Sequence, residues 1–179
     1  MRILGLSGSL RAGSHNAKLL RAAGELLPPD AELVFFNGLK AIPPFDEDDE
    51  HARPHAVQAL HDAVRDADAV LVATPEYNHS LPGQLKNALD WLSRPLSESP
   101  LRGKPAAVVG ASTGLFGAVW AQAEGRRVLT AIGAQVIDRE LGVGLADNAF
   151  THDGTLTDDG HSTTLAEILD ELCSQLVPT

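Results

Sequence analysis

Ala69-Val70-Leu71-Val72-Ala73 is apolar at every position. A strand with one wet face alternates apolar and polar residues, whereas a strand covered on both faces has no need to, so this run reads as part of a parallel sheet lying between layers of helices. Ala106-Ala107-Val108-Val109 reads the same way. Working outward, further strand-like runs occupy 2–6, 32–36 and 135–137. Apolar residues repeat at helical spacing between them: Leu19, Leu20, Ala23, Leu26 and Leu27, then Val57, Leu60 and Val64, and near the C-terminus Leu165, Ile168, Leu169, Leu172 and Leu176. Pro28-Pro29 stops the first helix, and Asp66-Ala67-Asp68 precedes the third strand. Five strands alternating with helices predict an α/β fold, a doubly wound five-stranded parallel sheet with helices on both faces.

The 179 residues are enough for one well-buried core, and a single domain over 1–179 is expected. Apolar residues at 44% and charged residues at 21% are a globular balance, and no apolar run reaches the length of a membrane span. The chain enters its first strand at once, without a signal-peptide pattern, so a cytoplasmic protein is expected. A formal net charge of -10 opposes polyanion binding, which removes DNA and RNA as expected partners. An anionic cofactor is compatible with that charge where backbone N–H groups and a local Arg supply positive potential. The lone Cys173 lies among leucines on a helical pattern and reads as a packing residue.

In open α/β sheets ligands bind at the carboxyl ends of the strands, where strand order reverses. That rule selects the loops 7–16, 74–82 and 111–117, all rich in Gly, Ser, Thr, Asn or Pro. The segments 37–54 and 142–160 read as long surface loops bordering the site. The first loop, Gly8-Ser9-Leu10-Arg11-Ala12-Gly13-Ser14-His15-Asn16, runs straight into the first helix. A helix N-terminus offers unpaired N–H donors and the positive end of a dipole. Ser9, Ser14 and Asn16 can each donate a hydrogen bond there, and Arg11 a charge-assisted one, which makes a phosphate site. The competing reading is a Ser or Asn cap on an ordinary helix. Neither the Walker pattern nor Gly-x-Gly-x-x-Gly is present, so nucleotide hydrolysis and a standard dinucleotide fold are not indicated.

These residues, followed by Pro75-Glu76-Tyr77-Asn78-His79-Ser80, then Leu81 through Trp91 and Gly110-Ala111-Ser112-Thr113-Gly114, resemble the NADPH-dependent FMN reductase family, which includes quinone, azo-dye and chromate reductases. The likeness implies a flavodoxin-like fold and an FMN-dependent oxidoreductase. Electrons would pass from NADPH or NADH through bound FMN to a small acceptor: a quinone, an azo compound, a metal oxyanion such as chromate, or free flavin. It implies that Ser9, Leu10, Arg11, Ser14 and Asn16 hold the FMN phosphate, that Pro75, Glu76, Tyr77 and Asn78 line the ribityl chain and isoalloxazine ring, and that Ser112, Thr113 and Gly114 complete the ring pocket. Homodimers or homotetramers are implied too, and the helix read at 116–132, with Trp120, Val128 and Leu129, is the face expected to meet a partner.

The residues of the second motif support this independently: Pro75 and Pro82 stiffen a loop whose Tyr77 ring can pack beside a planar heterocycle, with the Asn78 amide near its edge. The alternative is a turn with a helix-packing Tyr. Lys86 reads as a surface residue, Trp91 as core. Flavin chemistry needs orientation more than catalytic side chains, so no general acid or base is assigned. His15, His79, Glu76 and Asp90 lack metal-ligand spacing, and no metal is expected. Two rival functions remain: a non-enzymatic flavodoxin-like electron carrier serving protein partners, and a regulatory module sensing a phosphorylated ligand. Within the helix near the expected partner face, Gly125 reads as a helix-weakening residue.

Overall fold

The computed structural model describes residues 1–176. Strands and helices follow one another in chain order as β1 (Arg2–Ser7), α1 (His15–Glu25), β2 (Glu32–Phe35), α2 (His55–Arg65), β3 (Ala69–Thr74), α3 (Gly83–Leu92), β4 (Pro105–Ala111), α4 (Val119–Ile132), β5 (Gln135–Val136), β6 (Gly142–Val143) and α5 (Asp159–Ser174). The strands run parallel in the order β2-β1-β3-β4-β5. Order therefore reverses between β1 and β3, the switch point at which such sheets bind ligands.

Strand side chains point alternately to opposite faces, and the core divides accordingly. Leu4, Leu6, Val70, Val72, Ala106 and Val108 pack under α2, α3 and α4, together with Val57, Leu60, Leu85, Leu89, Trp91 and Leu129. Ile3, Ala69, Leu71, Ala73, Ala107 and Val109 pack under α1 and α5, with Leu19, Leu20, Leu165, Ile168 and Leu169. Both β3 and β4 are buried at every residue, which is why neither alternates in sequence. Trp91 is fully buried, its Nε1 donating to the Pro43 carbonyl at 2.9 Å. Cys173 is buried as a packing residue, and burial pushes its thiol pKa up, disfavouring the reactive thiolate.

Three readings are refined or corrected. The fifth sheet position is interrupted: β5 pairs with the start of β4, the chain bulges outward, and β6 returns to pair Gly142 and Val143 with Gly110 and Ala111. A two-residue strand carries no periodicity, so 142–160 read as loop throughout; α5 also begins inside that segment, its N-cap Asp158 accepting from the His161 N–H. The helix read at 116–132 starts at Val119, because Gly117 and Ala118 have φ of 59° and 64°. A right-handed helix cannot pass through left-handed residues. Gly117 is required there, since a Cβ would lie 2.2 Å from the Gly142 carbonyl carbon. Gly125, read as weakening its helix, is where α4 closes on the sheet: a Cβ would meet Val108 Cγ1 at 3.2 Å.

The long segment 37–54 is tied down by side-chain amides of α3. Gln84 Nε2 donates to the Leu39 and Ile42 carbonyls, while Asn87 donates to Pro43 and accepts from the Phe45 N–H. These bonds replace a backbone ladder and fix the segment beside the carboxyl end of β1 and β2.

Candidate functional site

The loops after β1, β3 and β4 converge on one open pocket of about 200 Å³. Its walls carry Ser9, Arg11 and Asn16 from the first loop, Pro75, Glu76 and Tyr77 from the second, and Ser112 and Thr113 from the third. His15, set aside in the sequence as a metal ligand, also lines it. Leu10 turns instead to a neighbouring pocket, and Asn78 stands exposed at the tip of its turn. Gly114 belongs to the third loop without lining the pocket, its carbonyl accepting from the Leu145 N–H.

In the first loop Ser14 serves the helix that follows. Its Oγ caps α1, accepting from the Ala17 N–H at 3.1 Å, as the simple capping alternative requires. The hydroxyl proton stays available to an acceptor. Asn16 plays a different part, since its Nδ2 donates to the Ala111 carbonyl and its Oδ1 accepts from the Ala111 N–H, both at 2.9 Å. The buried amide thus locks the first turn of α1 to the end of β4, holding the first and third loops in register. Arg11 reaches only the Gly13 carbonyl within its own loop, at 3.0 Å. Among the described residues nothing accepts from the backbone N–H groups of residues 9–13. A run of free N–H groups leading into a helix N-terminus, with one Arg beside it, is an anion cradle.

The second loop is a tight turn. Tyr77 and Ser80 exchange backbone hydrogen bonds at 3.2 and 3.1 Å, and the two residues between them, Asn78 and His79, have φ of 54° and 60°. Positive φ at both central positions is the I′ geometry that Asn favours. Two carboxylates fasten this turn to α4. Glu76 Oε2 accepts from the N–H groups of Trp120 and Ala121 at 3.1 Å each, taking the place of the cap that Ala118 cannot provide. Glu124 Oε2 accepts from Ser80 Oγ at 2.6 Å and from the Leu81 N–H at 3.1 Å, and these bonds hold its pKa below the ordinary carboxylate value. Glu76 therefore serves the frame of the pocket with its carboxylate. Tyr77, by contrast, is 55% exposed, so it is not a helix-packing residue. Its side chain faces the pocket from a fixed backbone.

The third loop is braced by β6 and the segment after it: the Ser112 N–H donates to the Val143 carbonyl, and the Ala146 N–H to the Ser112 carbonyl. Asp147 Oδ1 lies 3.1 Å from His15 Nε2, and the His15 ring stacks on Phe150. These contributions from 143–150 were not legible in sequence, because His15 and its partners lie more than a hundred residues apart and no motif links them.

A family model described as NADPH-dependent FMN reductase matches residues 1–148. The chain is 44% identical over 161 residues to an NAD(P)H-dependent FMN reductase of Pseudomonas aeruginosa, covering 89% of this chain and 86% of that protein. It is 36% identical over 180 residues to a quinone reductase of Escherichia coli, covering 98% and 92% respectively. Among solved structures it superposes on the flavoenzyme NAD(P)H:(acceptor) oxidoreductase FerB of Paracoccus denitrificans with a TM-score of 0.88 and 34% identity, over 98% of this chain and 96% of that one. The kinship is thus to reductases across nearly the whole chain, which overturns the alternative of a carrier serving protein partners. The chain belongs to the NADPH-dependent FMN reductase family, and it is an FMN-dependent NAD(P)H oxidoreductase acting on a small acceptor.

Proposed function

We propose that the pocket formed by the three loops holds FMN, and that the acceptor is a quinone. The observation that carries this reading is the convergence of the free N–H groups of residues 9–13 and Arg11 with the loops after β3 and β4 in one pocket. The phosphate would take its hydrogen bonds from those N–H groups, from Ser9 Oγ and from Arg11; Ser14 shapes the turn beneath. The ring would lie between the turn bearing Tyr77 and Asn78 and the loop 112–114. When bound, FMN supplies the two-electron chemistry between nicotinamide and acceptor. The chain's own part is orientation: Pro75 and the two carboxylate anchors hold Tyr77, while Asn16 holds Ser112 in register through Ala111. The single sheet carrying both core layers supports the reading of one domain.

A pocket of about 200 Å³ is too small to bury a whole flavin mononucleotide, since ligand sites of that kind run to about 300 Å³ and more. Around its rim stand the exposed apolar residues Tyr77, Leu115, Phe116 and Trp120. A second copy of the chain covering this rim would exclude water from the ring, which supports a homodimer or homotetramer with the flavin near a subunit boundary. Dependence on a reduced nicotinamide supports a cytoplasmic protein, and among the described residues no helix is long and apolar enough to cross a membrane.

The test is direct. Purified protein should carry a flavin spectrum, and its NADPH oxidation should accelerate on addition of a benzoquinone. A colourless protein that gains no spectrum with FMN would exclude the flavin site; NADPH oxidation indifferent to quinones but stimulated by another acceptor would exclude the quinone.

A further inference from the structure

A second pocket, of about 510 Å³, lies on the other side of the phosphate loop and shares the Ser9 and Arg11 wall with the first. It is bounded by α1, the end of β2 and the 3-10 turn Leu39–Ala41. Arg11, Arg21 and Lys40 line it, no carboxylate does, and Phe36 gives it an aromatic wall.

The chain has 24 acidic residues against 14 basic ones, so carboxylate partners are plentiful. Arg2, Arg65, Lys86, Arg94, Arg126, Arg127 and Arg139 each pair with one. Arg11, Arg53, Arg102 and Lys104 donate to backbone carbonyls, and Lys18 lies over the Phe150 ring. Among the described residues only Arg21 and Lys40, of the Lys and Arg side chains, have no ion pair, hydrogen bond or aromatic face; both line this pocket, and Arg21 also borders the cavity lined by Glu25, Glu32 and Asp153. Two unpartnered cations beside Arg11 repel one another until an anion enters, so the pocket is organised for a multiply charged anion.

We propose that Arg21 and Lys40 bind the 2′-phosphate of NADPH, with the adenine against Phe36, and so make the enzyme prefer NADPH to NADH. The assignment rests on the reading that nicotinamide meets FMN in the adjoining pocket. A phosphomonoester dianion is the one group that distinguishes the two donors, and an Arg near the adenosine ribose is a general way of accommodating it. Arg21 points away from the buried stripe of α1 formed by Leu19, Leu20 and Ala23, so replacing it leaves the core and the FMN cradle intact.

The experiment compares Arg21→Gln and Lys40→Gln with the parent holoenzyme. Exposed charge-assisted contacts are discounted for screening, so each variant should raise KM for NADPH by about three- to tenfold, and the double variant by more. KM for NADH and the FMN affinity should stay within about twofold. Calorimetry gives a readout that needs no turnover: 2′,5′-ADP should bind the parent more tightly than 5′-AMP, and the gap should close in the double variant. Equal shifts in KM for both donors, no shift in either, or a gap between 2′,5′-ADP and 5′-AMP that survives in the double variant would each overturn the assignment. Loss of FMN binding in the parent would instead sink the flavin reading, and calorimetry would still decide the phosphate subsite.

Discussion

Arg11 makes no contact with a carboxylate, and its guanidinium is engaged only by the Gly13 carbonyl. The proposed bond to the FMN phosphate contributes about 1.5 to 3 kcal/mol, so Arg11→Ala should weaken FMN binding about tenfold to a hundredfold. Riboflavin, which lacks the phosphate, should bind both proteins alike, and Arg65→Ala, on the far α2, should behave as the parent. Titration of apoprotein into FMN, followed by flavin fluorescence, gives the answer; an affinity within about twofold of the parent would remove Arg11 from the phosphate site. Asn16 shows how a residue beside the same pocket can matter for a different reason. Its amide is 2% exposed and satisfies both backbone groups of Ala111. Truncation leaves a buried N–H and a buried C=O unpaired, at about 1 to 3 kcal/mol each. Asn16→Ala should therefore lose about 2 to 6 kcal/mol in urea unfolding, and a loss below about 0.5 kcal/mol would show that water repairs both groups.

At the scale of elements, α4 is the part that positions the second loop. Glu76 holds its first turn and Glu124 its second, and both carboxylates accept from backbone N–H groups. The Glu124 bonds to Ser80 and Leu81 depress its pKa below the unfolded value. The stability they contribute is therefore complete above the unfolded pKa and is lost as pH falls through the folded one. Glu124→Gln cannot ionise, so urea unfolding of parent and variant should differ most near neutral pH, and the difference should shrink as pH drops below about 4.5. A difference that stays constant between about pH 7 and pH 3.5 would show that the carboxylate's charge plays no part in anchoring the turn. His61 bends the parent curve on the same side. Buried in α2 with Nε2 donating to the Trp91 carbonyl, it is held neutral by desolvation, so stability falls as pH drops below its ordinary value of 6.5. Because both proteins contain His61, its effect cancels in the comparison.

For the whole molecule the distinctive surface feature is the apolar rim of Tyr77, Leu115, Phe116 and Trp120. Phe116 and Trp120 pack edge to face, with ring centroids 5.2 Å apart, and His79 meets the other side of Trp120 at 4.9 Å. Both apolar rings remain about half exposed beside the small pocket of about 200 Å³. Light scattering at micromolar concentration should give the mass of at least a dimer of this 18.9 kDa chain, and Trp120→Glu should shift it toward monomer while weakening FMN binding. A monomeric mass for the parent would refute the covered rim.

The sequence by itself determined the layers of this protein and the three loops that meet at one end of its sheet. Unalternating runs at 69–73 and 106–109 marked buried parallel strands, helical stripes marked the layers, and strand polarity singled out three loops that do meet. Those signals are local: each is a period or a turn within one stretch of chain. Only the tertiary structure decided which polar groups meet across distance. Asn16 clasps Ala111, Glu76 and Glu124 fasten the second loop to α4, and His15 faces Asp147. The two-residue β6 and the left-handed pair Gly117 and Ala118 were equally hidden, since pairing with β4 and the close approach of Gly117 to Gly142 exist only once the sheet has formed. A side chain's partner is set by what the fold brings within about 3 Å of it, and no periodicity along the chain encodes that.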